Sequence, residues 1–355
     1  MVRASPRERA TRSVTITERR AAVLRAVVAS YVGAAAPVGS QMIAHLLPVP
    51  LSAASVRNTL AELAQLGLVE KPHRSSGRVP TEAGLRVFVD ELLAPAEVPR
   101  SEQRDIDFAF EAAESDGVVA AASRMLSRYS HQLGFVSAPR VDRAVLRHVS
   151  LVRVSSERLL VVLVSDTGIL RRVIDADPDL DQGRLDQMAT LLSERVAGRT
   201  LRTVRAHIER EARELRREAN AMLARTLELG RRALAATDGE PADLIIETRL
   251  TLLDQPEFSD PRRLRDLFEA LETKTRLLEV LDDVLEPDGV SVAIGEEIDD
   301  PALRRCALVA SSYGGGAGRE PLGVLGVIGP SRMDFARVIP LVEYLSKGVT
   351  VKLFA

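Results

Sequence analysis

Arg57 and Asn58 stand side by side just after the small residues Ala54 and Ser55, in the run SAASVRNTLAELAQLG that spans residues 52–67. A guanidinium can donate two hydrogen bonds to guanine O6 and N7, and a carboxamide can pair with adenine N6 and N7. Small neighbours let a helix that carries such groups sink deep into the DNA major groove. The next residues, LVEKPHRSSGRVPT (68–81), add Lys71, Arg74 and Arg78, which can neutralise phosphates without reading sequence. His73 reads as a residue that packs the turn or lies beside a phosphate, and Ser75 shares the bend with Ser76 and Gly77. Taken singly, each of these side chains could equally be an ordinary solvated group. Their order favours a nucleic-acid surface.

Such residues need elements to hold them. On a helical wheel Leu60 and Leu63 fall within about 40° of Val56, giving a buried face, while Asn58 and Gln65 lie opposite and Ala54, Ser55, Arg57 and Ala61 flank them. Ser52 is placed to cap this helix and Gly67 to end it in a left-handed turn. Upstream, TERRAAVLRAVVASY (17–31) predicts a helix opened by Thr17, and Ser40 is expected to cap a short helix, QMIAHLL, that stops at Pro48. Ser40 and Ser52 could also contact phosphate at the positive ends of their helices. Three helices followed by strand, turn and strand predict a winged helix-turn-helix over 1–93. A further helix, TEAGLRVFVDELL, returns to the core through Leu85, Phe88, Val89 and Leu92.

Charge follows the same division. Residues 1–93 hold 12 Lys/Arg against 7 Asp/Glu, whereas the remainder holds 36 against 43. A basic head on an acidic body suits a polyanion partner for the head alone. The 355 residues allow two or three domains, and 3% aromatics without tryptophan require cores of Leu, Val, Ile and Ala. The single Cys306, in the apolar run CALVA, forms no internal disulfide and is expected as a buried, inert thiol in a reducing compartment. The five histidines lack the spaced partners of a metal site, no cofactor is implied, and no nucleophile–base set points to an enzyme. The N-terminal MVRASPRERATRSV has no apolar core, and no stretch reads as a membrane span, so a cytoplasmic location is expected.

Beyond the linker-like APAEVPR (94–100), the spacing predicts helix over about 101–133 and at least three strands within AVLRHVSLVRVSSERLLVVLVSDTGILRRVI (144–174). Charged helical texture over about 181–240 and a helix at 261–285 follow. GVSVAIG, CALVASSY and LGVLGVIG then read as strands, and DFARVIPLVEYLSKGVTVKL as a closing helix. Strands on both sides of a helical block imply one α/β domain, 94–180 with 251–355, interrupted by an insertion at 181–250. The glycine-rich SSYGGGAGREPLG (311–323) lacks the Gly-Lys-Ser/Thr ending of a phosphate loop and reads as a hairpin loop.

APVGSQMIAHLL, the winged-helix run through PHRSSGRVPT, GVIGPSRMDF and DQPEFSD (254–260) together resemble the heat-inducible transcription repressor HrcA family. The family's NQPEFSD is changed here at Asp254. The resemblance implies an α+β multidomain fold: a winged helix, a GAF-like domain and an inserted dimerisation domain. It implies a homodimer on the CIRCE inverted repeat upstream of chaperone genes, kept active by the GroE-type chaperonin and released on heat stress. Two-fold symmetry of such a dimer would match an inverted repeat. The stripe Leu201, Val204, Ile208, Ala212, Leu215, Ala219 and Met222 is the expected partner surface, with packing inside its own domain as the alternative. The alternative function is a winged-helix regulator controlled by a small molecule in the GAF-like domain.

Overall fold

A computed structural model of the chain describes residues 16–354, apart from 216–225, 232–243, 248–254, most of 259–288 and the loop positions 74–75, 115–116, 167, 176, 178 and 316–319. It divides into two compact units. The first joins residues 1–137 to 244–312 and 324–349; the second holds 138–243 with 313–323 and 350–355.

The first unit opens with α1 (Glu18–Ala34), α2 (Ser40–Leu46) and α3 (Ala53–Gln65), then the short strands β1 (Val69–Glu70) and β2 (Val79–Pro80). The strands pair antiparallel, Val69 opposite Pro80 and Glu70 opposite Val79. Gly67, with φ at +73°, makes the turn that a side-chain-bearing residue would resist. α4 (Glu82–Val87) is capped by Thr81 Oγ1, which accepts from Gly84 N–H at 3.0 Å, and runs on into a π-helical turn at Phe88–Leu92. Leu85 is fully buried there, while Phe88, Val89 and Leu92 are half-buried. A Cβ on Gly84 would lie 2.0 Å from the Leu68 carbonyl oxygen, so only glycine allows α4 this close to the chain entering β1.

Residues 94–99, expected as a linker, are fastened down. Ala96 N–H donates to Ala336 O at 2.9 Å, and Val98 is buried. α5 (Arg100–Ala112) and α6 (Val118–Ser130) follow, and then β3 (Leu133–Ser137), a strand that begins where the expected helix over about 101–133 ends and that the sequence pattern does not reveal. All five residues of β3 are buried, and that uninterrupted apolar character carries no strand periodicity. β3 lies in a five-stranded sheet of order β7–β3–β10–β9–β8, with β7 at Leu244–Glu247, β8 at Val290–Ile294, β9 at Cys306–Tyr313 and β10 at Gly323–Pro330. β3 pairs antiparallel with both β10 and β7. Phe135, Leu308, Ala310, Val324 and Ile328 share an apolar cluster with Leu267, Leu277 and Leu281 from the segment expected as helix 261–285, most of which is outside the described residues. The closing helix α9 (Phe335–Phe354) reaches the sheet through Ser346 Oγ, 3.2 Å from Ser311 Oγ. The glycine-rich loop joins the neighbouring strands β9 and β10, as a hairpin loop should. Cys306 is buried in this core, and burial pushes its thiol up to about 12.

The second unit contains β4 (Leu146–Arg153), β5 (Arg158–Ser165), β6 (Gly168–Asp175), α7 (Gln182–Val196) and α8 (Leu201–Leu215). The three strands form their own antiparallel sheet, in order β4–β5–β6. The division therefore falls at residue 138, well before the expected border at 181, and the interrupting unit is mixed α/β rather than helical. The strand signals were correct, but they do not say which sheet a strand joins. Leu201, Val204 and Ile208 are at most 3% exposed and pack into one cluster with Leu151, Leu159, Val161 and Leu192. That corrects their assignment to a partner surface, because they cover their own sheet. The side chain of Leu215 and all of Met222, with Ala219, lie outside the described residues.

Two polar clusters tie α1 and α4 to the rest of the first unit. Arg86 Nε donates to Glu297 Oε1 at 2.8 Å and its Nη2 to the Val292 carbonyl at 2.8 Å, while Glu296 N–H donates to Glu82 Oε2 at 3.0 Å. Arg332 bridges Glu257 Oε2 at 3.0 Å and the Val32 carbonyl, at the end of α1, at 3.1 Å. Arg86→Ala should lower stability by about 2 kcal/mol, since it leaves the partly buried Glu297 without its main donor. Urea unfolding checks this: a midpoint unchanged from wild type would mean that solvent replaces the pair.

Candidate nucleic-acid interface

The outward face of α3 is set by its inward face. Val56, Leu60 and Leu63 are at most 3% exposed, joined by Thr59, whose hydroxyl donates to the Ser55 carbonyl at 3.3 Å. Helical geometry then turns Ala54, Arg57, Asn58 and Ala61 to solvent, and all four are exposed. Ser52 has extended backbone angles and its Oγ accepts from Ser55 N–H at 3.1 Å, satisfying one of the free donors of the first turn. No acidic residue occupies that turn, so nothing there repels an anion.

Ser40 behaves differently. The N-cap of α2 is Gly39, with φ −84° and ψ 150°, and Ser40 is already the first helical residue. A helical backbone points its hydroxyl away from the free N–H groups, so it does not cap; it sits half-buried in the first turn. Thr17, at the N-cap of α1, likewise makes no side-chain cap bond.

Ser55 is half-buried and already engaged. Arg19 Nη2 donates to its Oγ at 2.8 Å and to its carbonyl at 3.4 Å. This brings an exposed guanidinium from the first turn of α1 beside the N-terminal half of α3, a cation that sequence reasoning did not include. The only signal was the pair Arg19–Arg20 itself, because the bond crosses 36 residues of chain. Arg20 serves another purpose: its Nε donates to Glu62 Oε2 at 2.8 Å, fixing α1 on α3 and neutralising an acid on the same helix.

In the hairpin, Lys71 and His73 are exposed and Arg78 is half-buried. Arg78 exchanges two backbone hydrogen bonds of 2.9 Å with Val38, which ties the hairpin to the turn before α2. Ser76 closes the bend, its Oγ donating to His73 O at 2.7 Å and accepting from His73 N–H at 3.0 Å. Gly77 passes so close to Val38 that a Cβ would meet its carbonyl oxygen at 2.4 Å. Arg74 and Ser75 lie outside the described residues.

An exposed helix face bearing Arg and Asn, a cation beside its N-terminus and a basic hairpin have the chemistry that a polyanion requires. Comparison with known proteins gives the particular class. Residues 116–339 match the family model "HrcA protein C terminal domain". The heat-inducible transcription repressor HrcA of Geobacter sulfurreducens is 38% identical over 338 residues, 94% of this chain and 97% of that one. Its namesake in Xanthomonas campestris pv. campestris is 38% identical over 339 residues, covering 94% and 95%. A crystal structure described as a hypothetical protein shares the fold at a TM-score of 0.59, with 21% identity over 96% of this chain and 99% of that one. The chain belongs to the heat-inducible transcription repressor HrcA family.

Ser52→Ala should cost about 1 kcal/mol through loss of the cap, whereas Ser40→Ala should stay within about 0.5 kcal/mol of wild type. Thermal melting of the two variants separates the roles; equal losses would place a cap at both helices.

Proposed function

We propose that the chain is a dimeric repressor that binds an inverted-repeat operator, the CIRCE element of chaperone genes, through a winged helix-turn-helix formed by α1 to β2. The observation that carries this is the outward face of α3, where Arg57 and Asn58 stand exposed among small residues with the cap and Arg19 behind them. Arg57 and Asn58 read base edges in the major groove, and Ala54 gives them clearance. Lys71, Arg78 and Arg19 neutralise phosphates, with His73, Arg74 and Ser75 completing the hairpin contact. Ser52 orders the first turn of α3 and offers its N-terminus to a phosphate; Ser40, already inside the first turn of α2, meets phosphate through its own hydroxyl, and Ser55 acts through Arg19.

The five-stranded sheet and its helices serve as the GAF-like domain, and the second unit as the dimerisation domain inserted in it. Family membership supports heat control of repression, with a GroE-type chaperonin keeping the repressor competent. On this reading heat stress diverts the chaperonin to unfolded proteins and operator occupancy falls.

Fluorescence anisotropy on CIRCE duplex against a scrambled duplex, at two salt concentrations, tests the reading. Preference for CIRCE that survives added salt is the expected result, and equal, salt-sensitive binding to both duplexes would overturn it. Arg57→Ala should cost about 1–3 kcal/mol on CIRCE and relax sequence preference. Arg78→Ala should weaken both duplexes alike and reduce the slope of log affinity against log salt by about 0.9. Loss of CIRCE binding on warming should be reversed by added chaperonin with ATP; recovery without chaperonin would remove it from the mechanism.

A further inference from the structure

Two of the sequence motifs, DQPEFSD (254–260) and GVIGPSRMDF (326–335), lie outside the proposed DNA-facing surface, yet they meet each other. Arg332 of the second grips Glu257 of the first with two bonds, Nε to Oε1 and Nη2 to Oε2, the latter at 3.0 Å. Arg332 is 13% and Glu257 27% exposed, so this is not a loose surface pair. Gln255 steadies the turn that carries Glu257. Its Nε2 donates to Gln132 Oε1 at 3.3 Å, and Phe258 beside it is buried. The remaining guanidinium nitrogen, Nη1, donates to the Val32 carbonyl at 3.1 Å.

Val32 belongs to the last turn of α1, where a helix leaves carbonyls without intrahelical partners. That turn carries no basic residue of its own. Arg332 brings the cation that a helix C-terminus favours, from 300 residues further along the chain.

A second attachment holds α4. Arg86 Nε donates to Glu297 Oε1 at 2.8 Å, and its Nη2 reaches both Glu297 Oε2 and the Val292 carbonyl in β8. Glu297 Oε2 also accepts from Ile294 N–H at 2.9 Å, which keeps the carboxylate against the end of β8. One turn earlier in α4, Glu82 accepts from Glu296 N–H at 3.0 Å. Gly295, at φ +61°, permits this approach, since a Cβ there would lie 2.0 Å from Glu82 Oε1. The head is therefore fastened at α1 and at α4 as well as through its chain connection at 94–99.

We infer that Arg332 and Arg86 are positioning residues for operator recognition: by locking α1 and α4 to the five-stranded sheet's domain they fix the direction of α3, and with it the half-site spacing that the repressor accepts. This rests on the dimeric inverted-repeat reading above and adds the device that makes it selective for spacing. One base pair added between half-sites shifts the second by about 3.4 Å and turns it by roughly 35°. Heads held in one orientation cannot follow, and the gain from engaging both half-sites is lost when geometry forbids it. Heads held by a chain connection alone could follow, but they would give up effective concentration at the native spacing.

Fluorescence anisotropy of the full chain tests the inference on CIRCE, on CIRCE with one or two base pairs added to its spacer, and on a duplex with one half-site scrambled. Wild type should lose about tenfold or more in affinity at two added pairs. The double variant Arg86→Gln/Arg332→Gln should bind the single half-site within about twofold of wild type and CIRCE itself more weakly. Two added pairs should then cost it less than about threefold. Arg332→Lys keeps a cation at the end of α1 but loses the planar fork that serves both acceptors, so its profile should fall between. It also carries the test if the double variant melts below the assay temperature. A variant profile as steep as that of wild type overturns the positioning role, as does half-site affinity that falls in step with CIRCE affinity. A wild type that prefers CIRCE to scrambled DNA yet tolerates both insertions overturns it and leaves the repressor standing. Equal binding to CIRCE and scrambled duplex overturns the repressor reading as well.

Discussion

The burial of Val56, Leu60 and Leu63 is the constraint on which the rest of the head depends. Each such side chain contributes about 1.5–3 kcal/mol when removed from water. Rotating α3 to expose them would cost more than any cap or ion pair nearby could return. With that face fixed, the outward direction of Arg57 and Asn58 follows from helix geometry alone. Arg20–Glu62 and Arg19–Ser55 then act as registers, holding the first turn of α1 against α3. Arg19 is the product of that register: a cation reaches the N-terminal half of α3 because packing of the two helices carries it there.

The head is not a free appendage within its unit. The Arg86–Glu297 and Arg332–Glu257 clusters each join a buried or half-buried guanidinium to a carboxylate and to a backbone carbonyl. A planar guanidinium suits this because it can serve several acceptors at once in a fixed geometry. The carbonyls of Val32 and Val292 would otherwise need another donor. Residues 94–99 add a backbone bond to α9, so the connection that reads as a linker is a strap. Proline and alanine in APAEVPR reveal an extended segment but not what it lies against.

Both sheets are made from the same vocabulary of Val, Leu and Ile, which explains where sequence reasoning stopped. The strands at 146–153, 158–165 and 168–175, with turns between, were legible from β-branched runs and turn residues. Their membership of a separate sheet was not, because strand pairing is a long-range choice that local composition does not encode. β3 was missed for a related reason: a five-residue strand buried on both faces shows no alternation, and it directly follows a helix. The stripe from Leu201 was legible as a stripe, yet an apolar helical face looks the same whether it covers its own sheet or another chain.

The sequence by itself determined the order of cap, helix, glycine and basic hairpin, the residues on the outer face of α3 and the family to which the chain belongs. Those are set by period, by local backbone preference and by chemistry within a few residues. Only the tertiary structure decided that Ser55 holds Arg19, that Gly39 rather than Ser40 caps α2, and that the interrupting unit begins at 138 with a sheet of its own. Each of these turns on a contact between distant segments, or on backbone angles that packing selects, and neither is written in the spacing of neighbouring residues.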